Sequence, residues 1–279
     1  MPEGPEIRRA ADRVQDAVKD RELVEVYFAF PELARYEKRL RGARVTAVDT
    51  RGKAMLTRFD NGLTLYSHNQ LYGRWYTTQR GRLPKTNREL RVGLHTDEKS
   101  ALLYSASDIE VLTEKQLAAH PFLRRIGPDV LDRDLTAEQL AARLDEKPFR
   151  GRALSSLYLD QTFLAGIGNY LRSEILFTAG VDPRARPKNL DPESRVRIAR
   201  ESIRLARRSY RTRGVTLSPK LAAELKQAGQ SFGSFRFWVF ERDGKACRRC
   251  GETVRRHDAG SRGLFVCPRC QDCADFGSR

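Results

Sequence analysis

The chain has 279 residues, of which 40% are hydrophobic and 32% charged, and it carries a formal net charge of +16 at pH 7. This composition excludes a disordered chain, and no apolar stretch approaches the ~18 residues that a membrane-spanning helix requires. The excess of positive charge favours a polyanionic partner, of which nucleic acid is the commonest.

The N-terminal half predicts one helix followed by a series of strands. Pro5 suits the first helical turn, and apolar residues recur at helical spacing from Ile7 to Val18, so a helix is expected over 5–19. Beyond it, runs rich in valine, leucine and aromatic residues alternate with glycine or Asn-Gly turns, and each run predicts strand structure. These runs are 24–30, 43–59, 63–76, 90–94 and 101–104. Their spacing predicts a β-sandwich or barrel.

After Pro121 the pattern becomes helical. Thr136 and Gln139 have the spacing of a capping box, which predicts a helix that begins there. Asp191-Pro192 begins another helix, with one apolar face and a run of arginines on its other faces. That run fits either a solvated surface or a surface that contacts DNA. The arginines are Arg195, Arg197, Arg200, Arg204, Arg207 and Arg208.

The C-terminal segment contains all five cysteines, together with strand-like runs at 234–240 and 264–266. The composition changes once near 122–132 and again where this segment starts. The sequence therefore predicts three parts. They are 1–125, 126–232 and 233–279.

The cysteine spacing predicts a zinc site. Cys247-x2-Cys250 and Cys267-x2-Cys270 are separated by sixteen residues, enough for a β-hairpin, and each pair can place two thiolates on one tetrahedral ion. Four thiolates complete the coordination sphere, so we expect one structural Zn²⁺. Cys273 forms a further Cys-x2-Cys with Cys270 and is an alternative fourth ligand, although Cys267 and Cys270 mirror the first pair better.

The amino terminus has residues suited to covalent chemistry. Removal of Met1 would leave Pro2 with a free secondary amine, whose attack on an anomeric carbon gives an iminium that is cationic without protonation. Glu3 and Glu6 place carboxylates within reach for acid or base catalysis. The same residues also fit an ordinary helix start with acids in its first turn, and spacing alone does not separate the two interpretations.

Four blocks in the correct order resemble the formamidopyrimidine-DNA glycosylase/endonuclease VIII family. They are the N-terminal Pro2-Glu3-Gly4-Pro5-Glu6, the turn Thr50-Arg51-Gly52-Lys53, the stretch 159–170, and the four-cysteine hairpin with Arg262. The stretch 159–170, which ends in Gly166-Ile167-Gly168-Asn169-Tyr170, matches the family's helix–two-turn–helix. Within the family, 2–10 and 66–73 resemble bacterial endonuclease VIII.

The resemblance implies catalytic roles at the N-terminus. Pro2 would form a Schiff base, and Glu3 would act as general acid and base. Glu6, which the residues alone suggest, is a further candidate that supports them. Lys53 would assist proton transfer and bind phosphate near the lesion. Zinc would hold the C-terminal hairpin.

The resemblance also implies how DNA is held. Asn169 and Arg262 would bind the phosphates that flank an everted nucleotide. Gln70, Leu71 and Tyr72 would fill the space that the everted nucleotide leaves. Without the family, two glycines before Asn169 fit close helix packing, Leu71 and Tyr72 fit a strand end in the core, and Arg262 fits a surface residue.

The implied fold is α+β with two domains, an N-terminal β-sandwich with flanking helices and a C-terminal helical domain with the zinc-finger β-hairpin. The implied activity is that of a bifunctional DNA glycosylase/AP lyase in base excision repair, which excises oxidised pyrimidines and nicks the strand by β,δ-elimination. Two alternatives are an oxidised-purine glycosylase of the same family and a non-catalytic zinc-ribbon DNA-binding protein.

The expected partner is double-stranded DNA with damaged bases or abasic sites, bound by a monomer. Because the first residues lack the apolar segment of a signal peptide, we expect a bacterial cytoplasmic protein that associates with the nucleoid through DNA. One departure from the family is the stretch 214–234, which is longer than expected and in which 221–227 could add a helical turn.

Overall fold

The computed structural model describes residues 2–259 and 262–273. They form two compact units, with the boundary between Ile126 and Gly127. No helix in the described ranges is long and apolar enough to cross a membrane.

Unit 1, before this boundary, begins with the predicted helix α1, Gly4–Val18. Its apolar stripe is buried, with Ala11, Val14 and Val18 fully shielded from solvent. The helix starts immediately after Glu3, so the first described residues of the chain lead directly into it. This short lead-in fixes the position of the N-terminal residues relative to unit 1.

Eight antiparallel strands of unit 1 form two four-stranded sheets. They are β1 Glu25–Phe28, β2 Val45–Arg51, β3 Ala54–Phe59, β4 Leu63–His68, β5 Arg74–Gln79, β6 Leu90–His95, β7 Lys99–Tyr104 and β8 Asp108–Thr113. One sheet has the order β1-β6-β7-β5 and the other β2-β3-β4-β8. A single hydrophobic cluster contains buried residues from both sheets and from α1. The predicted β-sandwich with flanking helices is therefore confirmed.

The prediction for this part of the chain needed four corrections. The run 43–59 is two strands, because Gly52 and Lys53 form a turn between β2 and β3, and the run 63–76 is two strands, because 69–73 form a loop between β4 and β5. Strand β8 lay outside the predicted runs. A helix, α2 at Pro31–Leu40, was missed, although Leu33, Tyr36 and Leu40 have the spacing of a buried helical face.

Two short helices end unit 1, α3 at Glu114–Ala119 and α4 at Pro121–Arg125.

Unit 2, which follows the boundary, contains six helices and one hairpin in its described part. The helices are α5 Ala137–Asp145, α6 Leu154–Leu157, α7 Asn169–Ala179, α8 Pro192–Arg211, α9 Pro219–Gln227 and α10 Phe232–Phe235, with a 3-10 turn at Pro187–Asn189. The hairpin pairs β9, Arg255–Ala259, with β10, Arg262–Val266.

The helix starts of unit 2 agree with their sequence signals. Thr136 caps α5 and completes the capping box with Gln139, and Asp191 caps α8 by accepting a hydrogen bond from the backbone of Ser194. The stretch 221–227 is helical within α9. The prediction of a strand over 234–240 is wrong.

The error at 234–240 has a physical explanation in aromatic packing. The stretch begins in α10 and continues without regular structure. The ring centroids of Phe237 and Phe240 lie 5.3 and 6.2 Å from that of Tyr170 in α7, so these two side chains pack in the helical core. An aromatic-rich run therefore indicates burial here and not strand pairing.

Candidate active site and zinc centre

Glu3 and Glu6 are connected at the start of α1. Glu3 is the N-cap residue and is buried, and its backbone N–H donates a hydrogen bond to the Glu6 carboxylate at 3.1 Å. A carboxylate three residues into a helix that binds the N-cap N–H is half of a capping box. Glu6 therefore has a structural contact of its own, and the helix holds Glu3 and the half-buried Pro2 in fixed positions.

Lys53 lies in the turn that joins β2 to β3. Arg51 pairs with Ala54, so the turn consists of Gly52 and Lys53, and Gly52 has a φ of +61°, a left-handed conformation that favours glycine. The Lys53 side chain is buried. Its charge lies near the imidazole of His68, whose pKa is lowered mainly by burial and further by Lys53, while Asp108 acts in the opposite direction.

The loop between β4 and β5, residues 69–73, is the wedge loop, after the role that the sequence predicts for Gln70, Leu71 and Tyr72. Its Leu71 and Tyr72 have exposed fractions of 58% and 69%, and they are the only adjacent pair among the large exposed hydrophobic residues of the described chain. A core role for these two side chains is therefore excluded. Gln70 adopts a φ of +47°, which is uncommon for a residue other than glycine.

A pocket with a volume of about 240 Å³ lies between the start of α1 and the wedge loop. Pro2 and Glu6 line it on one side, and Leu71 and Tyr72 line it on another. Arginines add positive charge to its lining, which suits the phosphates of a nucleic acid. They are Arg13 and Arg74, whereas the guanidinium of Arg88 on the same lining donates to the carbonyl oxygen of Tyr72. Unit 1 thus places Pro2 beside a cavity and next to exposed apolar side chains.

Asn169 and the residue after Arg262 are joined by a hydrogen bond. Asn169 is the first residue of α7, and its side-chain Nδ2 donates to the carbonyl oxygen of Gly263 at 2.9 Å. An amide nitrogen carries two hydrogens, so this bond uses one of them. The two predicted phosphate-binding residues therefore come together in unit 2, where Arg262 begins β10 and is half-buried.

Two buried charged residues of α7 were missed by the sequence reasoning. Arg172 donates to Asn169 Oδ1 at 2.5 Å and to the carbonyl oxygen of Ser155 at 3.0 Å, so it orients the Asn169 amide. Glu174 is fully buried and accepts hydrogen bonds from backbone N–H groups of 238–240. A signal was present, because Arg172 and Glu174 are the two charged residues in a helix whose other residues are uncharged.

The four predicted zinc ligands converge. The sulfurs of Cys247, Cys250, Cys267 and Cys270 all lie within 4.8 Å of one another. Two of the separations, Cys247 to Cys270 and Cys250 to Cys267, are 3.9 and 3.5 Å. Zinc–sulfur bonds of about 2.3 Å in a tetrahedron require sulfurs about 3.8 Å apart, so the cluster fits one Zn²⁺.

Cys273 does not belong to this cluster. Its side chain is buried in a small hydrophobic cluster with Leu264 and Val266, and burial raises the pKa of its thiol to about 12. A buried protonated thiol is inert and acts as a small apolar side chain. The alternative in which Cys273 is the fourth zinc ligand is therefore not supported by the geometry.

The arginine run on α8 is largely bound within unit 2. Arg195 pairs with Asp145 at 2.9 Å, and Arg204 pairs with Glu201 in the same helix. Three more donate to backbone carbonyl oxygens of neighbouring segments. They are Arg197, Arg207 and Arg208. These contacts favour the structural interpretation of the run over DNA contact.

Comparison with known proteins agrees with this arrangement. Residues 1–107 match the formamidopyrimidine-DNA glycosylase N-terminal domain, 126–220 match the formamidopyrimidine-DNA glycosylase H2TH domain, and 244–272 match the zinc finger found in FPG and IleRS. Endonuclease 8 of Salmonella agona is 52% identical over 271 residues, which are 97% of this chain and 100% of that protein. The chain belongs to the formamidopyrimidine-DNA glycosylase/endonuclease VIII family.

A second relative and two solved structures are also similar to this chain. Endonuclease 8 of Salmonella typhimurium is 51% identical with the same coverage. A solved structure of wild-type Lactococcus lactis Fpg (MutM), in complex with DNA containing N7-benzyl-Fapy-dG, matches with a TM-score of 0.79 at 18% identity, over 97% of this chain and 99% of that one. A MutM complex with carbocyclic 8-oxo-G DNA matches at 0.77 and 19%, with the same coverage. These structures confirm the predicted fold.

Proposed function

We propose that the protein is a bifunctional DNA glycosylase/AP lyase of base excision repair, which removes oxidised pyrimidines from double-stranded DNA. The observation that carries the proposal is the pocket lined by Pro2 and Glu6 beside the exposed Leu71 and Tyr72. It combines a nucleophile, a cavity for a base and side chains that could replace that base in the stack. A non-catalytic zinc-ribbon protein needs none of these.

Pro2 supplies the nucleophile once Met1 has been removed. Its secondary amine attacks C1′ of the damaged nucleotide, a bond from nitrogen to C1′ forms, and the glycosidic bond breaks with its electron pair leaving on the base, which takes up the proton that the amine loses. The C1′–O4′ bond then opens, and O4′ takes a proton from the Glu3 carboxylic acid. The product is an iminium between Pro2 and the sugar, with the base free.

Strand cleavage follows from the iminium as an electron sink. Loss of a C2′ proton to a base expels the 3′ phosphate by β-elimination, and a second elimination expels the 5′ phosphate. Glu3 is suited to carry these protons because it is buried and fixed as the N-cap of α1. Water then hydrolyses the remaining iminium and returns Pro2 to its free amine.

Lys53, Asn169 and Arg262 are proposed to bind DNA phosphates. The backbone turn before Asn169 is tight, with Gly166 at a φ of +94°, and α7 begins at Asn169 with its N–H groups directed toward its start. Arg262 stands one residue from the carbonyl that Asn169 holds. The net charge of +16 strengthens the attraction to DNA.

The zinc ion would be held by Cys247, Cys250, Cys267 and Cys270. Four thiolates leave no open coordination position, so the ion supplies folding energy and no chemistry at the sugar. Through the hairpin that separates the two cysteine pairs, the site fixes Arg262. We propose three parts, 1–125, 126–232 and 233–279, in a monomer that works in the bacterial cytoplasm and associates with the nucleoid.

The proposal of oxidised pyrimidines as substrates rests on the greater similarity of the chain to endonuclease VIII than to Fpg. The chain is 52% identical to a protein named Endonuclease 8, and 18% identical to the Lactococcus lactis Fpg whose complex contains a modified Fapy-dG. The wedge residues Gln70, Leu71 and Tyr72 lie in the stretch 66–73 that resembles endonuclease VIII. An oxidised purine is the competing substrate, and direct comparison of lesions separates the two.

Borohydride trapping tests the proposal. The protein carries its tag at the C-terminus, so that Pro2 becomes the first residue, and is mixed with duplexes that contain thymine glycol, 8-oxoguanine or an abasic site. Borohydride reduces the iminium to a permanent crosslink. We expect a crosslink on the abasic and thymine glycol duplexes, its loss in Pro2→Gly, and its retention in the control Pro31→Gly, which changes an exposed proline at the start of α2.

Either of two outcomes contradicts the proposal. No crosslink on the abasic duplex, from folded protein with bound zinc, would exclude the lyase and leave a DNA-binding protein. A faster reaction on 8-oxoguanine than on thymine glycol would instead assign the oxidised-purine activity.

A further inference from the structure

The wedge loop is attached to unit 1 by contacts from residues outside the loop. We propose that Arg88 and Ser107 are positioning residues, which hold the wedge loop in the conformation that enters the duplex before DNA binds. This inference rests on the wedge role proposed for Leu71 and Tyr72, and it adds two residues from other segments of the chain.

The backbone of the wedge loop is tight and strained. The N–H of Gly73 donates to the carbonyl oxygen of Asn69 at 2.7 Å, and a Cβ at position 73 would lie only 2.6 Å from that oxygen. Gln70 adopts a left-handed conformation, and its N–H donates to Nδ1 of His68 at 3.1 Å. Because a left-handed residue other than glycine is disfavoured in isolation, contacts from outside are needed to keep the loop in this form.

Arg88 and Ser107 supply these contacts from two different connections. Arg88, between β5 and β6, donates from its guanidinium to the carbonyl oxygen of Tyr72. Ser107, between β7 and β8, donates from its hydroxyl to Oε1 of Gln70 at 3.0 Å. Both bonds are made to the backbone or to the glutamine, so neither uses the side chain of Leu71. The side chains of Leu71 and Tyr72 remain exposed, while the two hydrogen bonds hold the backbone of the loop and the side chain of Gln70.

A loop that is ordered before binding loses less conformational entropy when it enters DNA. The benefit applies only where the wedge has to separate stacked bases. A single-stranded abasic site has no stacked pair to open, and its reaction requires Pro2 and Glu3 but no wedge. The contribution of Arg88 and Ser107 should therefore be confined to duplex substrates, whereas damage to the general fold would slow both reactions.

The test measures single-turnover rates on a thymine glycol duplex and on a single-stranded abasic oligonucleotide. The double variant Arg88→Gln/Ser107→Ala is expected to slow the duplex reaction about three- to tenfold while changing the single-strand reaction less than about twofold. Ser107→Thr keeps the hydroxyl and should retain the wild-type rate. Arg82→Gln changes an exposed arginine of the same connection and serves as the matched control.

A reference variant, Leu71→Ala/Tyr72→Ala, separates this inference from the proposed function. If the reference variant slows the duplex reaction but Arg88→Gln/Ser107→Ala does not, the positioning role is wrong and the wedge stands. If the reference variant leaves the duplex rate unchanged, the wedge role fails and the positioning role with it. Equal slowing of the double variant on both substrates would also overturn the positioning role.

Discussion

The carboxylate of Glu174 accepts a hydrogen bond from the backbone N–H of Val239 at 2.8 Å, and so attaches the core of α7 to the segment that leads into the zinc site. The same carboxylate also accepts the N–H of Trp238 at 2.8 Å and of Phe240 at 3.0 Å, and the hydroxyl of Thr216. Burial raises the pKa of Glu174, while the four donors act in the opposite direction. One carboxylate thereby accepts hydrogen bonds from the backbone N–H groups of 238–240, which lie outside regular strands and helices.

Glu174→Ala should destabilise unit 2 strongly. The substitution leaves several buried donors without an acceptor, and loss of one member of such a buried charged network costs on the order of 3–5 kcal/mol. Urea unfolding, followed by zinc release to a chromogenic dye, measures the loss. The control Glu224→Ala changes an exposed glutamate of α9 and should leave the unfolding curve in place. If Glu174→Ala and Glu224→Ala gave the same urea unfolding curve, the stabilising role of Glu174 would be refuted.

Substitution of individual cysteines should distinguish the four ligands from Cys273. Purified protein is expected to contain one zinc ion per chain by atomic absorption. Cys250→Ala should lose the ion, and with it the hairpin that places Arg262, so that affinity for an abasic duplex falls in fluorescence anisotropy. Cys273→Ala should keep the ion, because its sulfur is outside the cluster. Zinc loss in Cys273→Ala would show that the ligand set is wrong.

Leu71→Ala should reduce duplex activity without reducing stability. A surface substitution changes the free energy of unfolding by less than about 0.5 kcal/mol, whereas a core leucine costs about 2–5 kcal/mol when cut to alanine. Leu65→Ala in β4 is the matched core comparison, because Leu65 is buried in the sandwich. Urea unfolding of the two variants side by side makes the measurement. A stability loss in Leu71→Ala equal to that of Leu65→Ala would rule out the exposed wedge.

The unfolding free energy should fall as the pH is lowered below about 6.5, the ordinary pKa of histidine. The pKa of His68 in the folded protein is lowered, first by burial. The unfolded chain therefore takes up the proton at a higher pH than the folded one, and the stability that the neutral imidazole contributes is lost as the pH falls through its folded pKa. His95 and His257 are shifted in the same direction, mainly by burial, and contribute likewise.

The contribution of His68 to the pH dependence of the unfolding free energy can be isolated by substitution. His68→Asn removes the titrating group, so its unfolding free energy should decline less between pH 7.5 and pH 5 than that of the wild type. Urea titrations at closely spaced pH values give both slopes. Parallel slopes for the two proteins would assign the pH dependence to other groups.

Local sequence signals predicted much of the secondary structure and the zinc ligands. The capping residues Thr136 and Asp191 marked the starts of α5 and α8, and the two Cys-x2-Cys pairs marked the metal cluster, because each signal depends on residues a few positions apart. The strand over 234–240 was predicted wrongly because aromatic residues indicate burial without specifying which partner buries them. Helix α2 was missed because its short amphipathic pattern follows directly after a strand.

The N-terminal Pro2-Glu3-Gly4-Pro5-Glu6, the order of the motifs and the cysteine spacing are properties of the chain itself, and they were sufficient to indicate the family. Three other questions were decided only by the tertiary structure. Leu71 and Tyr72 are exposed although their composition suits a core strand, Cys273 is buried away from the four sulfurs, and most of the α8 arginines are bound by neighbouring segments. Exposure and side-chain pairing depend on residues distant in sequence, which periodicity and spacing do not encode.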